Sequence, residues 1–119
     1  MKHTVIIALG SNICQDAHIQ WASQQLEKLL SDCKMSSTLW TEDIKGSGMM
    51  YMNRLVFGYT EMSVEELERS LKKLESQCGR TPLSHNVPID LDLMQYDQQR
   101  YHNKDWERPY IQNLIPDII

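Results

Sequence analysis

No stretch of this 119-residue chain approaches the roughly 20 apolar residues needed to span a membrane. The apolar run at residues 5–9 is too short for the core of a signal peptide, and it stops at Gly10-Ser11-Asn12. A cytoplasmic location is the expectation that follows. Cysteine is scarce: Cys14, Cys33 and Cys78 are odd in number and form no C-x-x-C, which argues against a disulfide framework or a zinc ribbon. Cys33 and Cys78 fall on apolar positions of predicted helices, where cysteine behaves as a small hydrophobe. There is no basic excess either. Twelve Lys and Arg face sixteen Asp and Glu, for a net charge of −4 and a pI near 5.5. That balance excludes a generic polyanion binder and leaves open a nucleotide, which needs only a local patch. Neither a P-loop nor a G-x-G-x-x-G occurs, so the common mononucleotide folds are disfavoured. No internal linker, low-complexity tract or solenoid period is visible, and residues 1–119 read as a single domain.

What is present is patterned. Residues 4–9 form an apolar, β-branched run ending at a turn, which predicts a buried strand. Ile19, Ala22, Leu26, Leu29, Leu30 and Cys33 recur at helical spacing and predict an amphipathic helix over 16–31. Residues 35–42 read as one strand, 43–49 as a loop carrying Gly46 and Gly48, and 51–59 as another strand. Ser63 and Glu66 form a capping-box pattern, Val64, Leu67, Leu71 and Leu74 form a stripe, and Gly79 is a natural stop, predicting a second helix. A loop over 82–88 and a strand over 89–96 follow, and 97–119 is a tail that turns apolar at Tyr110. The order is the split β-α-β pattern of an α/β (α+β) ferredoxin-like βαββαβ sandwich, with a short C-terminal extension.

The sharpest local feature is Ile89-Asp90-Leu91-Asp92-Leu93. Strand alternation puts Asp90 and Asp92 on one face and the apolar residues on the other. Two like charges two positions apart carry a penalty in a strand, which a divalent cation would remove. A solvated face on an edge strand is the alternative. Other signals are weaker alone. Gly10-Ser11-Asn12 reads as a turn and helix cap. Tyr51 and Asn53 combine an aromatic face with an amide that both donates and accepts, which suits the edge of a heterocycle. Arg80 follows a helix end, where a cation is favourable, and also suits a phosphate. His102 and Arg108 lie in the polar part of the tail, as surface residues commonly do.

These pieces occur in a recognisable order: Ala8-Leu9-Gly10-Ser11-Asn12, Thr41 before the glycine-containing loop, Tyr51-Met52-Asn53, Glu75 through Gly79-Arg80, and Ile89-Asp90-Leu91-Asp92-Leu93. Over nearly the whole chain they resemble the 6-hydroxymethyl-7,8-dihydropterin pyrophosphokinase family of folate biosynthesis. The resemblance implies a ferredoxin-like fold and transfer of pyrophosphate from ATP to the pterin hydroxymethyl group, with release of AMP. It implies that Asp90 and Asp92 hold two Mg²⁺ ions and act with Arg80 in catalysis. Thr41, Tyr51, Asn53 and Tyr110 are the implied pterin-binding residues, Tyr110 as the second aromatic face. Glu75, Arg80, His102 and Arg108 are the implied ATP-binding residues, His102 and Arg108 keeping the family's spacing of six. The implied partners are small molecules, with no nucleic acid and no membrane; oligomeric state is not implied.

The chain departs from the family pattern in one region. Residues 81–89 contain no Arg, Lys or Trp, Val87-Pro88 stands where an Arg is usual, and the segment between Asp92 and His102 is short. A pterin- or nucleotide-binding protein with low or no activity is therefore the second reading. Lys72, Lys73, Arg100 and Lys104 are possible replacement cations that spacing does not separate. A third reading, an RNA-binding module, rests on Arg54-Leu55-Val56-Phe57-Gly58-Tyr59 and is opposed by the acidic pI and the apolar pattern of Leu55 and Phe57.

Overall fold

A computed structural model of the protein describes residues 2–80 and 85–119. Its elements are β1 (His3–Ser11), α1 (Gln15–Leu29), β2 (Ser31–Met35), β3 (Leu39–Glu42), β4 (Met50–Thr60), α2 (Val64–Gln77), β5 (Asp90–Tyr96), β6 (Gln99–Arg100), α3 (Asn103–Trp106) and α4 (Pro109–Leu114), closed by a 3₁₀ turn at Ile115–Asp117. The strands form one antiparallel sheet in the order β2-β4-β1-β5-β6, with β3 also paired to β4. Thus β4 inserts between β1 and β2, and β1 inserts between β4 and β5: two interleaved split β-α-β units, as expected for a ferredoxin-like fold. No helix among the described residues is long and apolar enough to cross a membrane.

Strand alternation divides the core in two. On one face Ile7, Leu9, Val56, Leu91 and Leu93 pack under α1 and α2, which contribute Ile19, Leu26, Leu67 and Leu71. The capping box that starts α2 is formed: the Glu66 amide donates to Ser63 Oγ at 3.2 Å, and the Ser63 amide donates to Glu66 Oε1 at 3.1 Å. Gly79, at φ +91°, ends the helical segment as expected.

On the other face the tail is a layer rather than an appendage. Trp106, Ile111, Leu114 and Ile118 close over Ile6, Leu55 and Met94. The Trp106 indole N–H donates to the carbonyls of Met94, at 3.2 Å, and Tyr101, at 3.1 Å. This face is where the RNA-module reading needs exposed aromatics, and Leu55 and Phe57 pack against the tail cluster there instead.

Two local expectations are corrected. Residues 35–42 are not one strand. The hydroxyl of Ser36 accepts the Leu55 amide at 2.8 Å, taking the place of a backbone carbonyl, and the ladder to β4 restarts only at Leu39. The first helix stops at Leu29, and Cys33 lies in β2, not on a helix. Ser31 already pairs with Tyr59, and Asp32, at φ 51°, marks the irregularity that re-registers β2 on β4. The apolar stripe therefore continued past the helix because the following strand faces the same core.

Candidate active site

The site lies on the tail face of the sheet, at the end of β1 that carries Gly10. Register places Gly10 between Asn53 of β4 and Asp90 of β5, and Ala8 between Leu55 and Asp92. Asp90 and Asp92 therefore share this face, while Leu91 between them is buried in the opposite core. A cavity of about 750 Å³ opens above Gly10, walled by Thr41, Tyr51, Asn53 and Tyr110 and ending at Asp90 and Asp92. A methyl group on Gly10 would project to 3.6 Å from the Tyr51 ring and 3.7 Å from Asn53 Oδ1, so the missing side chain keeps the floor flat.

The amide of Asn53 is oriented. Its Nδ2 donates to Leu39 O at 3.1 Å and to Thr41 Oγ1 at 2.8 Å. Both amide hydrogens are thus used by the protein, leaving Oδ1 as the atom offered to a ligand. Burial raises the Tyr51 and Tyr110 hydroxyl pKa values, that of Tyr110 to about 12 with the charge of Asp105 adding to it. Both remain neutral donors at physiological pH.

A second cavity, of about 630 Å³, lies on the other side of the two carboxylates, between α2 and β5. Lys72, Glu75, Arg80 and His102 line it, together with Asp90 and Asp92. The carboxylate pair and Arg80 thus form the partition between the two cavities. One Arg80 nitrogen donates to Asp90 Oδ1 at 2.7 Å and to Glu75 Oε2 at 3.0 Å. Glu75 Oε2 also accepts the Leu91 amide at 2.8 Å, fixing the end of α2 to the middle of the carboxylate pair. Burial nonetheless raises the Glu75 pKa, against the pull of the Leu91 amide and Arg80. Asp92 is pushed up to about 8, first by burial and then by the charge of Asp90. Such a pair, with oxygen donors only and a charge that Arg80 offsets only in part, suits a hard divalent cation. Among the described residues no group of three His, Cys, Asp or Glu side chains is placed to hold a metal ion.

The expected residues converge unevenly. Thr41, Tyr51, Asn53, Tyr110 and Arg108 line the first cavity; Glu75 and His102 line the second. His102 and Arg108, six positions apart, line different cavities. Arg108 Nε donates to Asp105 Oδ1 at 2.7 Å. Of the replacement cations, Lys72 is selected by lying one helical turn before Glu75 on the cavity face. Arg100 is instead placed 4.1 Å over the Trp106 ring.

Asn12, expected in a turn and helix cap, has a different role. It does not cap α1, whose N-cap is Cys14 with no side-chain bond. Its amide accepts from Val87 N at 2.6 Å and donates to His85 O at 3.0 Å, and its backbone N–H donates to Val87 O at 3.0 Å. It therefore pins the loop before β5 to the end of β1. Asp105 was missed; its position three residues before Arg108 was the available signal.

Comparison with known proteins identifies the family. The family model for 7,8-dihydro-6-hydroxymethylpterin-pyrophosphokinase (HPPK) matches residues 6–119. The chain belongs to the HPPK family. Similar curated proteins are the folate synthesis bifunctional proteins of Chlamydia trachomatis, 29% identical over 96% of this chain, and of Arabidopsis thaliana, 27% identical over 97%. The mitochondrial folate synthesis bifunctional protein of Pisum sativum is 27% identical over 97% of this chain. The HPPK domain described here spans 30%, 27% and 25% of the length of those three proteins. Its Arg-, Lys- and Trp-free loop falls partly on residues 81–84, which lie outside the described residues; His85 and Val87 border the first cavity.

Proposed function

We propose that this HPPK domain transfers the β,γ-pyrophosphoryl group of ATP to the hydroxymethyl oxygen of 6-hydroxymethyl-7,8-dihydropterin. The observation that carries the reading is the partition: a cavity with an oriented amide and a cavity that carries Lys72, Arg80 and His102 among its carboxylates meet at Asp90 and Asp92. The pterin lies over Gly10, between the rings of Tyr51 and Tyr110. Asn53 Oδ1 accepts from its ring edge and the Thr41 hydroxyl is available beside it. ATP occupies the second cavity with its phosphates toward Arg80, Lys72 and His102, while Arg108 approaches from the pterin side. Glu75 holds Arg80 in place. The pterin oxygen forms a bond to the β-phosphorus, the bond from that phosphorus to the α,β-bridging oxygen breaks, and AMP leaves with that oxygen while the hydroxyl proton is lost.

Asp90 and Asp92 are the residues that would hold magnesium, two ions by family resemblance. When bound, magnesium supplies charge neutralisation and a more acidic pterin hydroxyl. The protein's own contribution is to orient the two substrates across the partition, which is the larger part of phosphoryl-type catalysis. The free thiols of Cys14, Cys33 and Cys78 accord with action in the cytoplasm. A binder without turnover is the second reading, favoured by Arg80 and Arg108 both being paired to carboxylates of the protein itself. A crystal soaked with Mg²⁺, the α,β-methylene analogue of ATP and the pterin tests the assignment. Pterin over Gly10 with phosphates at Arg80 supports it; both ligands in one cavity, or phosphates away from Arg80, overturn it.

A further inference from the structure

Arg80 is placed to do more than meet a phosphate. One of its nitrogens bridges Asp90 Oδ1, at 2.7 Å, and Glu75 Oε2, at 3.0 Å. The two contacts are not equivalent. Glu75 is the most buried of the three side chains, 15% exposed against 35% for Arg80 and 36% for Asp90, and the Leu91 amide fixes it at 2.8 Å. Glu75 is therefore the anchor, and Asp90 is the contact that can be exchanged. While Arg80 holds Asp90 Oδ1, that oxygen is withheld from a metal, and a positive charge stands 2.7 Å from it. While Asp90 holds Arg80, part of the guanidinium is withheld from phosphate.

We propose that Arg80 is the resident counter-ion of the carboxylate pair, so that a divalent metal and a polyphosphate bind as a coupled exchange through this one guanidinium. A metal that takes Asp90 releases Arg80 toward phosphate, and a phosphate that takes Arg80 releases Asp90 toward metal. The coupling is reciprocal by thermodynamic necessity. Glu75 is a positioning residue, keeping Arg80 at the partition through the exchange. Arg108 is the internal comparison: it is a cation of the first cavity, but its ion pair is with Asp105 rather than with either residue of the carboxylate pair. The proposal rests on the metal assignment made above for Asp90 and Asp92.

The test is Mn²⁺ binding, followed by the electron paramagnetic resonance of the free ion, to protein without any nucleotide. Arg80→Gln is expected to bind Mn²⁺ roughly tenfold more tightly than the wild type, and Arg108→Gln to stay within about threefold of it. Adding the α,β-methylene analogue of ATP should tighten Mn²⁺ binding in the wild type and narrow its gap from Arg80→Gln. Where Arg80→Gln fails to fold, Arg80→Lys replaces it. A single ammonium cannot reproduce the guanidinium fork, and a rise of about threefold is expected. No tightening on substitution of Arg80 overturns the exchange while leaving the metal site standing. Equal tightening in Arg108→Gln overturns it too, since the effect is then a general loss of positive charge. No Mn²⁺ binding by any variant, with or without the analogue, overturns the metal site and the exchange together.

Discussion

Asp92→Asn should stabilise the metal-free protein at alkaline pH while removing a proposed metal ligand. The carboxyl of Asp92 is pushed up to about 8 by burial and by Asp90 beside it, against about 3.9 in an unfolded chain. Between those values the folded state holds a proton that the unfolded state has given up. The sign follows: this group's contribution is complete below pH ~4 and is lost as pH rises through about 8. Asparagine has nearly the shape of the protonated acid and never ionises. The variant and the wild type should therefore be closest near pH 4 and separate as pH rises toward 8. Each pH unit of unmatched proton binding is worth up to ~1.4 kcal/mol. Solvent access to the site and the shared charge of Asp90 bring the expected gain at pH 9 to roughly 1–3 kcal/mol. That corresponds to an increase of a few to about ten degrees in melting temperature for a domain of this size. Melting curves in EDTA from pH 4 to 9 measure it, and taking the difference between the two proteins cancels the titrating groups that are not coupled to Asp92. A difference that does not change with pH, or an Asn variant less stable at pH 9, refutes the assignment of an unneutralised buried carboxyl. Excess Mg²⁺ should then raise the melting temperature of the wild type and not of the variant.

Other expectations follow from the same geometry. Asn53→Ala removes the oriented acceptor above Gly10 and should weaken pterin binding at least ~10-fold by titration calorimetry, with nucleotide binding unchanged. Trp106→Ala empties the centre of the tail layer and should cost about 3–5 kcal/mol in urea denaturation; a loss under 1 kcal/mol would show that the tail is not part of the cooperative core. Asn12→Ala leaves the amide of Val87 without its side-chain partner and should cost ~1–3 kcal/mol, with faster hydrogen exchange at Val87 as the local signature.

The parts of this molecule that were legible in its sequence are those set by short, strong rules. The capping box at Ser63 and Glu66 and the alternation of Ile89 through Leu93 each follow from one local period, and each stands in the structure as expected. The break at Ser36 was not legible, because a serine hydroxyl replacing a ladder carbonyl leaves no periodic trace. The tail was not either, since helices of 4 and 6 residues are too short to display a stripe. At the site, the carboxylate pair and the Tyr51–Asn53 face could be read from alternation. Asn12 was hidden because its partners, His85 and Val87, are more than seventy positions away in the chain. Lys72 was visible as a cation, and only the packing of α2 against β5 set it apart from Lys73.

The proposed role of Asp90 and Asp92 is to join two substrate cavities into one reaction site. The most direct measurement is AMP release from ATP, with Mg²⁺ present, in the presence and absence of 6-hydroxymethyl-7,8-dihydropterin. AMP formation is expected to require both the pterin and Mg²⁺ and to fall at least ~100-fold in Asp90→Asn, with pterin still bound. Pterin binding without AMP above background in the wild type, or full AMP release by Asp90→Asn, would contradict it.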